Sequence, residues 1–403
     1  MTVSRRRATG ALVALSVAAF TFVTTEVLPI GLLTVMADDL DRSRSEIGLL
    51  VSGYAGVVVL ASIPLTRLTR HIPRRQLLTV ALAIFVVAVL VSAAASSYWV
   101  LMAARLVIAL TQALFWSVVG PTATGLFPPE ARGRAVARLS IGAALSPVLG
   151  VPVGTWIGQQ AGWRVAFLVM AAAGLATCVA VATLVPTYAP AEGGAARGTA
   201  PDARRYAVLV VACAVGVGGS LTAYTYVTPF LLDVSGFDPA ALGPLLLVSG
   251  AAGVAGTLIV GRFLDRSPWG ALAAPLTVTV AALLTLYALG AAKPVAVVAV
   301  ALTVLAYAAF AAAVQYRTLQ VAPGSTDLAG AGTSTAFNLG IAAGSLLGGG
   351  LVQTAGVRSV ALAGAALAAA ALALLLAEPR LARSAPSPTG AARTGSGRRL
   401  ARR

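Results

Sequence analysis

The chain has 403 residues, of which 58% are hydrophobic and only 10% are charged. Soluble globular proteins carry roughly a quarter charged residues, so this composition excludes a soluble protein, although the length would allow two or three soluble domains. Charge-poor apolar runs recur along the whole chain, which indicates an integral membrane protein with many spans. The two cysteines, Cys178 and Cys213, lie in apolar runs without a disulfide or metal-site spacing, and we expect no metal and no cofactor.

The apolar runs predict twelve membrane-spanning helices. A helix needs about 20 apolar residues to cross a bilayer, and bilayer physics makes each span helical because every backbone group must be satisfied within the segment. The predicted spans, numbered one to twelve, cover residues 10–34, 47–66, 76–95, 98–124, 136–158, 164–186, 206–232, 240–260, 270–290, 294–315, 328–354 and 358–377. The first span follows three arginines, as in a signal peptide, but its apolar stretch is too long for one, so we predict that it is not cleaved.

A segment rich in Pro, Gly, Ala and charged residues divides the spans six and six. It covers 187–205 and is typical of a flexible linker. We therefore predict an all-α protein with an N-terminal half at 1–186 and a C-terminal half at 206–377. A basic cytoplasmic tail at 378–403 is predicted to be disordered near anionic lipid.

The two halves repeat each other. The sequence Leu-Leu-Val-Ser-Gly at 49–53 recurs at 246–250, and Ala-Gly-X-Arg at 161–164 recurs at 355–358. Because each half has an even number of spans, both enter the membrane in the same orientation and form a parallel repeat. Transporters built in this way bind their substrate near the middle of the membrane, between the halves.

The basic residues predict the orientation. If the N-terminus is cytoplasmic, 23 of the 29 Lys and Arg residues fall in cytoplasmic segments. The exceptions are Arg42, Arg44, Arg164, Lys293 and Arg358 outside, and Arg105 within span four. Cytoplasmic segments are enriched in Lys and Arg, so we place both termini in the cytoplasm. The net charge of +16 then belongs to one membrane face, and no nucleic-acid partner is expected.

Glu26 is the only acidic residue well inside a predicted span. A carboxylate in the hydrocarbon region is costly unless it faces protein or water, so it is a candidate functional group. Pro29 cannot donate to the carbonyl of Thr25, which leaves a free acceptor beside the carboxylate. The site is therefore predicted to be organised around Glu26.

Arg105 is the only basic residue well inside a predicted span. Arg105, Gln112 and Trp116 share one face of span four. Such a stripe is costly against lipid, so we expect it to face a central cavity, with Arg105 in proton coupling. Gln112, Phe115 and Trp116 are then candidate substrate-binding residues. The alternative is that Arg105 only ties span four to backbone carbonyls of a neighbouring span.

Spans seven and eleven each carry polar side chains on one face. These residues are Ser220, Tyr224 and Thr228 in span seven, and Ser334, Asn338 and Ser345 in span eleven. Hydroxyl, amide and aromatic groups suit a neutral or polyhydroxylated ligand, so Tyr224, Thr228 and Asn338 are predicted to line the pocket. Pro229 frees the carbonyl of Thr225. The alternative for any single residue is a hydrogen bond between spans.

Span five combines closely spaced glycines with prolines. They are Gly142, Pro147, Gly150, Pro152, Gly154 and Gly158. Small residues let helices approach closely and prolines bend them. We predict tight packing here, at an interface that opens and closes.

The loop after span eight reads Gly-Arg-Phe-Leu-Asp-Arg at 261–266. An aspartate at a helix end beside arginines can latch two helices together on the cytoplasmic side. Gly261, Asp265 and Arg266 are therefore predicted to form a gating motif.

The chain has no nucleotide-binding motif, so an ion gradient is the remaining energy source for transport, with Glu26 as the candidate carrier. An enzyme is not expected, because no nucleophile–base pair or metal set is present. A receptor or scaffold would need neither the intramembrane charges nor the proline-broken helices.

Several segments resemble the major facilitator superfamily. The carriers of this resemblance are the twelve spans in two halves, GRFLDR at 261–266, Arg105 and the Gly/Pro pattern of span five. A closer resemblance is to the bacterial sugar efflux branch, of the arabinose efflux permease type, within the drug:proton antiporters. It rests on TTEVLPIGLL at 24–33, QALFWS at 112–117, VLGVPVGTWIGQQAGWR at 148–164, LTAYTYVTPF at 221–230 and AFNLGIAAGSLLGG at 336–349.

The chain departs from these patterns at four positions. Pro64 and Leu68 stand where the superfamily has Gly and Asp in the loop between spans two and three. Gln112 replaces a histidine and Thr228 a glutamate that are usual in the sugar exporters. Two titratable groups are thereby lost from the expected cavity.

The resemblance implies the major facilitator fold and a transporter in the cytoplasmic membrane of a bacterium. Together with the residues, it predicts a monomeric, proton-coupled exporter of a small neutral or polar molecule, most consistent with a sugar. Efflux of antibiotics or other drugs by the same proton antiport is the alternative.

Overall fold

The computed structural model describes residues 4–187, 198–238 and 241–383. Within these ranges all regular structure is helical, and twelve helices are long and apolar enough to cross a membrane. The spans are Arg5–Gly31, Glu46–Thr69, Arg74–Ala93, Tyr98–Gly125, Pro129–Ala161, Trp163–Leu184, Ala203–Tyr224, Leu242–Gly261, Pro268–Leu289, Lys293–Val321, Thr326–Ala355 and Ser359–Arg380. The predicted number of spans and fold class are confirmed. Most of the predicted linker (188–197) and of the predicted tail (384–403) lies outside the described residues.

Several helix starts are fixed by polar side chains. Before span two, Ser43 accepts the Glu46 N–H while the Glu46 carboxylate accepts the Ser43 N–H. Ser97 accepts the Val100 N–H at the start of span four. Such caps satisfy the backbone donors that a helix leaves free at its first turn.

Two helices extend into the segments predicted as linker and tail. Span seven begins at Ala203, inside the predicted linker, because Asp202 caps its first turn. The last helix runs on to Arg383, past the predicted end of span twelve. Its residue Glu378 is almost fully buried and pairs with Arg317 at 2.9 Å, which ties the start of the predicted tail to the C-terminal half.

Three spans are interrupted at or near proline. Span one ends at Gly31 and a short helix, Leu33–Asp39, follows it. Span five contains a wide π turn at Ser146–Gly150. Span seven stops at Tyr224, where we predicted a continuous helix to residue 232, and resumes at Val227–Pro229 and in a second π turn. Prolines cannot donate to the preceding turn, so the helices break or widen there.

The described apolar residues form one buried cluster in spans one to six and two mainly in spans seven to twelve, of which one also includes Val136 and Ala137 of span five. The core of spans one to six is built around aromatic side chains that include Phe22, Phe85 and Trp163, and cores of the other spans include Phe230 and Phe310. The halves meet mainly through spans two and eleven, four and eleven, and five and eight. This seam positions the candidate site.

Candidate functional site

Glu26 lies in the second half of span one, and its side chain is only partly buried. The Gln112 Nε2 of span four donates to Glu26 Oε2 at 2.8 Å. The structure thus brings together two of the predicted site residues. Gln112 itself is buried, with 2% of its surface exposed, so it lies within the N-terminal half and not on an open cavity wall.

Arg105 is fully buried and binds three backbone carbonyls. Its Nη1 donates to Thr25 O at 3.1 Å, its Nη2 to Glu26 O at 2.9 Å and its Nε to Leu50 O at 3.4 Å. The Thr25 carbonyl is the acceptor that Pro29 leaves free. No ion pair joins Arg105 to Glu26 among the described side chains. The geometry therefore agrees with the structural alternative, in which Arg105 ties spans one, two and four together.

Tyr54 of span two completes the cluster and was missed by the sequence reasoning. Its hydroxyl donates to Gln112 Oε1 at 2.7 Å, and its ring lies 5.0 Å from the Arg105 guanidinium carbon. The side chain has no exposed surface. Nothing in the sequence distinguishes it from a tyrosine that anchors a span in lipid.

The two aromatic residues predicted in span four differ in position. Phe115 is fully buried in the core, with its ring 4.7 Å from that of Phe22. Its predicted role in substrate binding stays a prediction. Trp116, partly buried, lies beside it with a ring-centroid distance of 5.4 Å.

Tyr307 of span ten is a second residue that the sequence reasoning missed. It is partly buried, and its ring centroid lies 5.9 Å from that of Phe337 in span eleven. Tyr307 therefore lies beside span eleven, the span that contacts the N-terminal half. Among the described residues, no cluster of His, Cys, Asp and Glu could hold a metal ion there.

The other predicted residues of the C-terminal half are dispersed. We predicted that Thr228 shares a helical face with Tyr224. The helix breaks between these two residues, so they do not share one continuous face. The Asn338 side chain is almost buried and its Nδ2 donates to Ser334 O of its own helix at 3.0 Å.

The break in span seven is held by span eleven. Thr225 Oγ1 and Ser345 Oγ lie 3.0 Å apart, and the Tyr226 hydroxyl donates to Ser345 O at 2.9 Å. For Ser345 the alternative, a hydrogen bond between spans, is the one that the structure shows. Pro229, at the end of the short helix after the break, is partly exposed.

The glycine face of span five packs against span one. A methyl group at Gly150 would collide with Thr24, and one at Gly154 would come within 2.6 Å of Leu28 Cδ1. The π turn adds a hydrogen bond of 3.0 Å from Thr24 Oγ1 to Ser146 Oγ. Pro152 is exposed on the outer side of the helix.

Asp265 of the predicted gating motif contacts both halves. Its Oδ1 accepts the Gly133 N–H of span five at 2.7 Å and the Tyr316 hydroxyl at 3.0 Å. The backbone of Gly261 packs against the Ala137 side chain, and a larger residue at position 261 would collide with it. Arg266 is exposed.

A second connection lies at the same membrane face. Arg74 of span three is 5% exposed and pairs with Asp327 of span eleven at 2.9 Å. We call this side of the molecule the linker face, because the described residues next to the linker also lie there: Ala200 N–H donates to Gln320 O at 2.8 Å. The halves are therefore held together at the linker face.

Comparisons with known proteins identify the family. The family model of the Major Facilitator Superfamily matches residues 14–331. The chain belongs to the Major Facilitator Superfamily. It is therefore a membrane transporter and not an enzyme.

One relative and three solved structures are informative. A protein of Helicobacter acinonychis (strain Sheeba) described as "Probable sugar efflux transporter" is 30% identical over 345 residues, which cover 85% of this chain and 88% of the relative. The human organic anion transporter MFSD10 has a TM-score of 0.74 at 16% identity, covering 93% of this chain and 100% of that one. The proton:xylose symporter XylE has 0.73 at 13% identity, covering 93% and 96%. FucP in the outward conformation has 0.74 at 15% identity, covering 91% and 98%. At these identities the structures establish the fold alone.

Proposed function

We propose that the protein is a proton-coupled exporter and that Glu26 exchanges the proton. The proposal rests on the burial of the Glu26 side chain and on its hydrogen-bond partner. This side chain is partly exposed within span one, and its carboxylate is bound by the Gln112 amide of span four. An intramembrane carboxylate that is not fully shielded can gain a proton from one side and lose it to the other as the two halves of a transporter move.

The linker face is the cytoplasmic face in this proposal. Near the two ends of the described chain, Arg7 contacts Leu184 beside the linker and Glu378 contacts Arg205, in agreement with the enrichment of basic residues in cytoplasmic loops. The contacts of Asp265 and Arg74 join the halves at this face, which supports a state that is closed to the cytoplasm. In this proposed state Glu26 exchanges its proton with the outside. We place the protein in the cytoplasmic membrane of a bacterium.

The transport cycle follows from this geometry. Substrate leaves to the outside and Glu26 takes up a proton, which neutralises the site. The halves, at 1–186 and 206–377, then rock about the site and open the linker face. Glu26 releases its proton to the cytoplasm, and a new substrate molecule binds. All these groups belong to one chain, so we propose that the monomer is the working unit.

A small, neutral, sugar-like molecule is the proposed substrate. The relative from Helicobacter is described as a sugar efflux transporter, and Tyr224, Thr228 and Asn338 offer hydroxyl and amide groups on the C-terminal side. Antibiotic efflux is the second candidate. The Gln112 amide is bound at both ends, by Tyr54 and Glu26, which leaves it less free to bind sugar hydroxyls.

Proton movement in reconstituted vesicles tests the proposal. A pH-sensitive dye inside the vesicles is followed as single sugars and antibiotics are added, with protein-free vesicles as the control. Proton flux driven by a sugar would support the proposal, and flux driven only by antibiotics would assign the protein to drug efflux. If no compound that the protein transports moves protons, the coupling is wrong.

A further inference from the structure

A hydrogen-bond chain crosses three spans and ends on the Glu26 side chain. The Tyr54 hydroxyl donates to Gln112 Oε1 at 2.7 Å, and Gln112 Nε2 donates to Glu26 Oε2 at 2.8 Å. Tyr54 and Gln112 are both buried, with 0% and 2% of their surface exposed. The chain is thus shielded from solvent up to the carboxylate itself.

The direction of this chain depends on the charge of Glu26. An ionised carboxylate only accepts hydrogen bonds, so the Gln112 amide must turn its NH₂ group toward it. The amide oxygen then faces Tyr54, whose hydroxyl must donate. A protonated carboxyl could instead donate to the amide oxygen, and the whole chain would run the other way.

Tyr54 is held firmly in this place. The Arg105 guanidinium carbon lies 5.0 Å from the centre of the Tyr54 ring, and Arg105 also donates to the backbone carbonyl of Glu26 at 2.9 Å. The backbone of Glu26 is therefore fixed by Arg105, while its carboxylate is oriented through Gln112. Tyr54 contacts both of these supports.

We propose that Tyr54 is a positioning residue for proton exchange at Glu26, because its hydroxyl orients the Gln112 amide to favour the ionised carboxylate. This inference rests on the proposed function of Glu26. The charged and titratable groups that act on Glu26 are Arg105 in span four, Tyr54 in span two and Tyr307 in span ten. Of these, only Tyr54 is hydrogen-bonded to the amide that binds the carboxylate.

Tyr54→Phe removes the hydroxyl and keeps the ring over Arg105. The amide then has no donor on its far side, and its NH₂ group is no longer directed toward Glu26. We expect Glu26 to hold its proton up to about tenfold more tightly, since the lost hydrogen bond joins two neutral groups and such a bond contributes up to roughly this factor. The midpoint of the pH profile of substrate-driven proton movement in vesicles should move to higher pH by up to about one unit.

Tyr98→Phe is the matched control. Its hydroxyl also joins span four to span two, by donating to Glu46 O at 2.9 Å, but it lies away from Glu26. We expect the Tyr98→Phe profile to overlay that of the wild type. A Tyr54→Phe profile that also overlays it, or a shift of equal size in both variants, would overturn the positioning role.

A double variant tests whether Tyr54 acts through the amide. Gln112→Met removes the amide, so adding Tyr54→Phe to it should shift the profile little further, less than twofold in proton affinity. Equal additional shifts would show that Tyr54 acts on Glu26 by another route and would contradict the inference. Failure of the proposed function is distinct, because the wild type itself would then show no proton movement.

Discussion

A proline and an arginine on different spans complement each other at the centre of the N-terminal half. Pro29 removes the N–H that would bind the carbonyl of Thr25, and Arg105 Nη1 donates to that carbonyl at 3.1 Å. A buried carbonyl without a partner is costly. Arg105 therefore supplies the hydrogen-bond donor that Pro29 lacks. The Nη2 group of the same guanidinium donates to the backbone carbonyl of Glu26 at 2.9 Å and fixes the backbone there.

Arg105→Lys tests this complementarity. Lysine keeps the charge but lacks the planar fork that reaches carbonyls on spans one and two. We expect a loss of about 1–3 kcal/mol in the free energy of unfolding, from one or two lost hydrogen bonds. Thermal unfolding of the purified protein in detergent would measure it.

Pro29→Ala is the internal control for this variant. It restores an N–H for the Thr25 carbonyl, so the Pro29→Ala/Arg105→Lys double variant should recover part of the lost stability. If the two substitutions destabilise additively, Arg105 does not serve the acceptor that Pro29 leaves.

Sequence reasoning predicted part of this cluster. Glu26 and Gln112 stood out because polar residues are rare in apolar spans, and both lie in the cluster. Tyr54 and Tyr307 could not be found, because a tyrosine in a span has no pattern that tells an inward side chain from one in lipid. Phe115 was predicted to bind substrate together with Gln112 and Trp116, and the structure buries its side chain in the core.

At the scale of helices, span five is shaped to lie against span one. Gly150 ends the π turn and meets Thr24, and Gly154 meets Leu28. The spacing of the glycines predicted this tight packing. The break in span seven could not be predicted in this way. The residues at the break are hydrogen-bonded to Ser345 of span eleven, which is distant in sequence.

Gly150→Ala should disturb the contact between spans one and five. The added methyl group would collide with Thr24, and overpacking of this kind costs about 1–3 kcal/mol. We expect a lower unfolding temperature in detergent. Gly56→Ala is the matched control, since no atom lies within 4 Å of the added methyl group. A similar loss in both variants would contradict the packing argument.

For the whole molecule, two unlike contacts close the linker face. Asp265 accepts a backbone N–H at the start of span five. At the related position of the N-terminal half stands Leu68, which is 76% exposed and has no side-chain acceptor. There the ion pair of Arg74 and Asp327 joins the halves. The sequence showed the missing aspartate but not its replacement, since the two partners are far apart along the chain.

Asp327→Asn should open the linker face more often. Breaking a largely buried ion pair costs more than about 1 kcal/mol, so access should rise roughly fivefold or more. The reporter is Ser140→Cys with Cys178 and Cys213 replaced by alanine, because Ser140 lies in the seam, 3.3 Å from Gln315. Its rate of labelling by a polar thiol reagent measures the opening.

The charge exchange Arg74→Asp with Asp327→Arg is the control for this experiment. It should return the labelling rate toward that of the unaltered pair. Unchanged labelling in Asp327→Asn would show that the ion pair does not hold the linker face closed.

The most direct test of the central claim is transport by Glu26→Gln in vesicles, measured both as exchange and as net movement. Glutamine keeps the size of the side chain but cannot release a proton. The account predicts that exchange of substrate across the membrane persists, while proton movement and gradient-driven net transport are lost. Substrate-driven proton movement of wild-type size in Glu26→Gln would contradict the claim that Glu26 carries the proton.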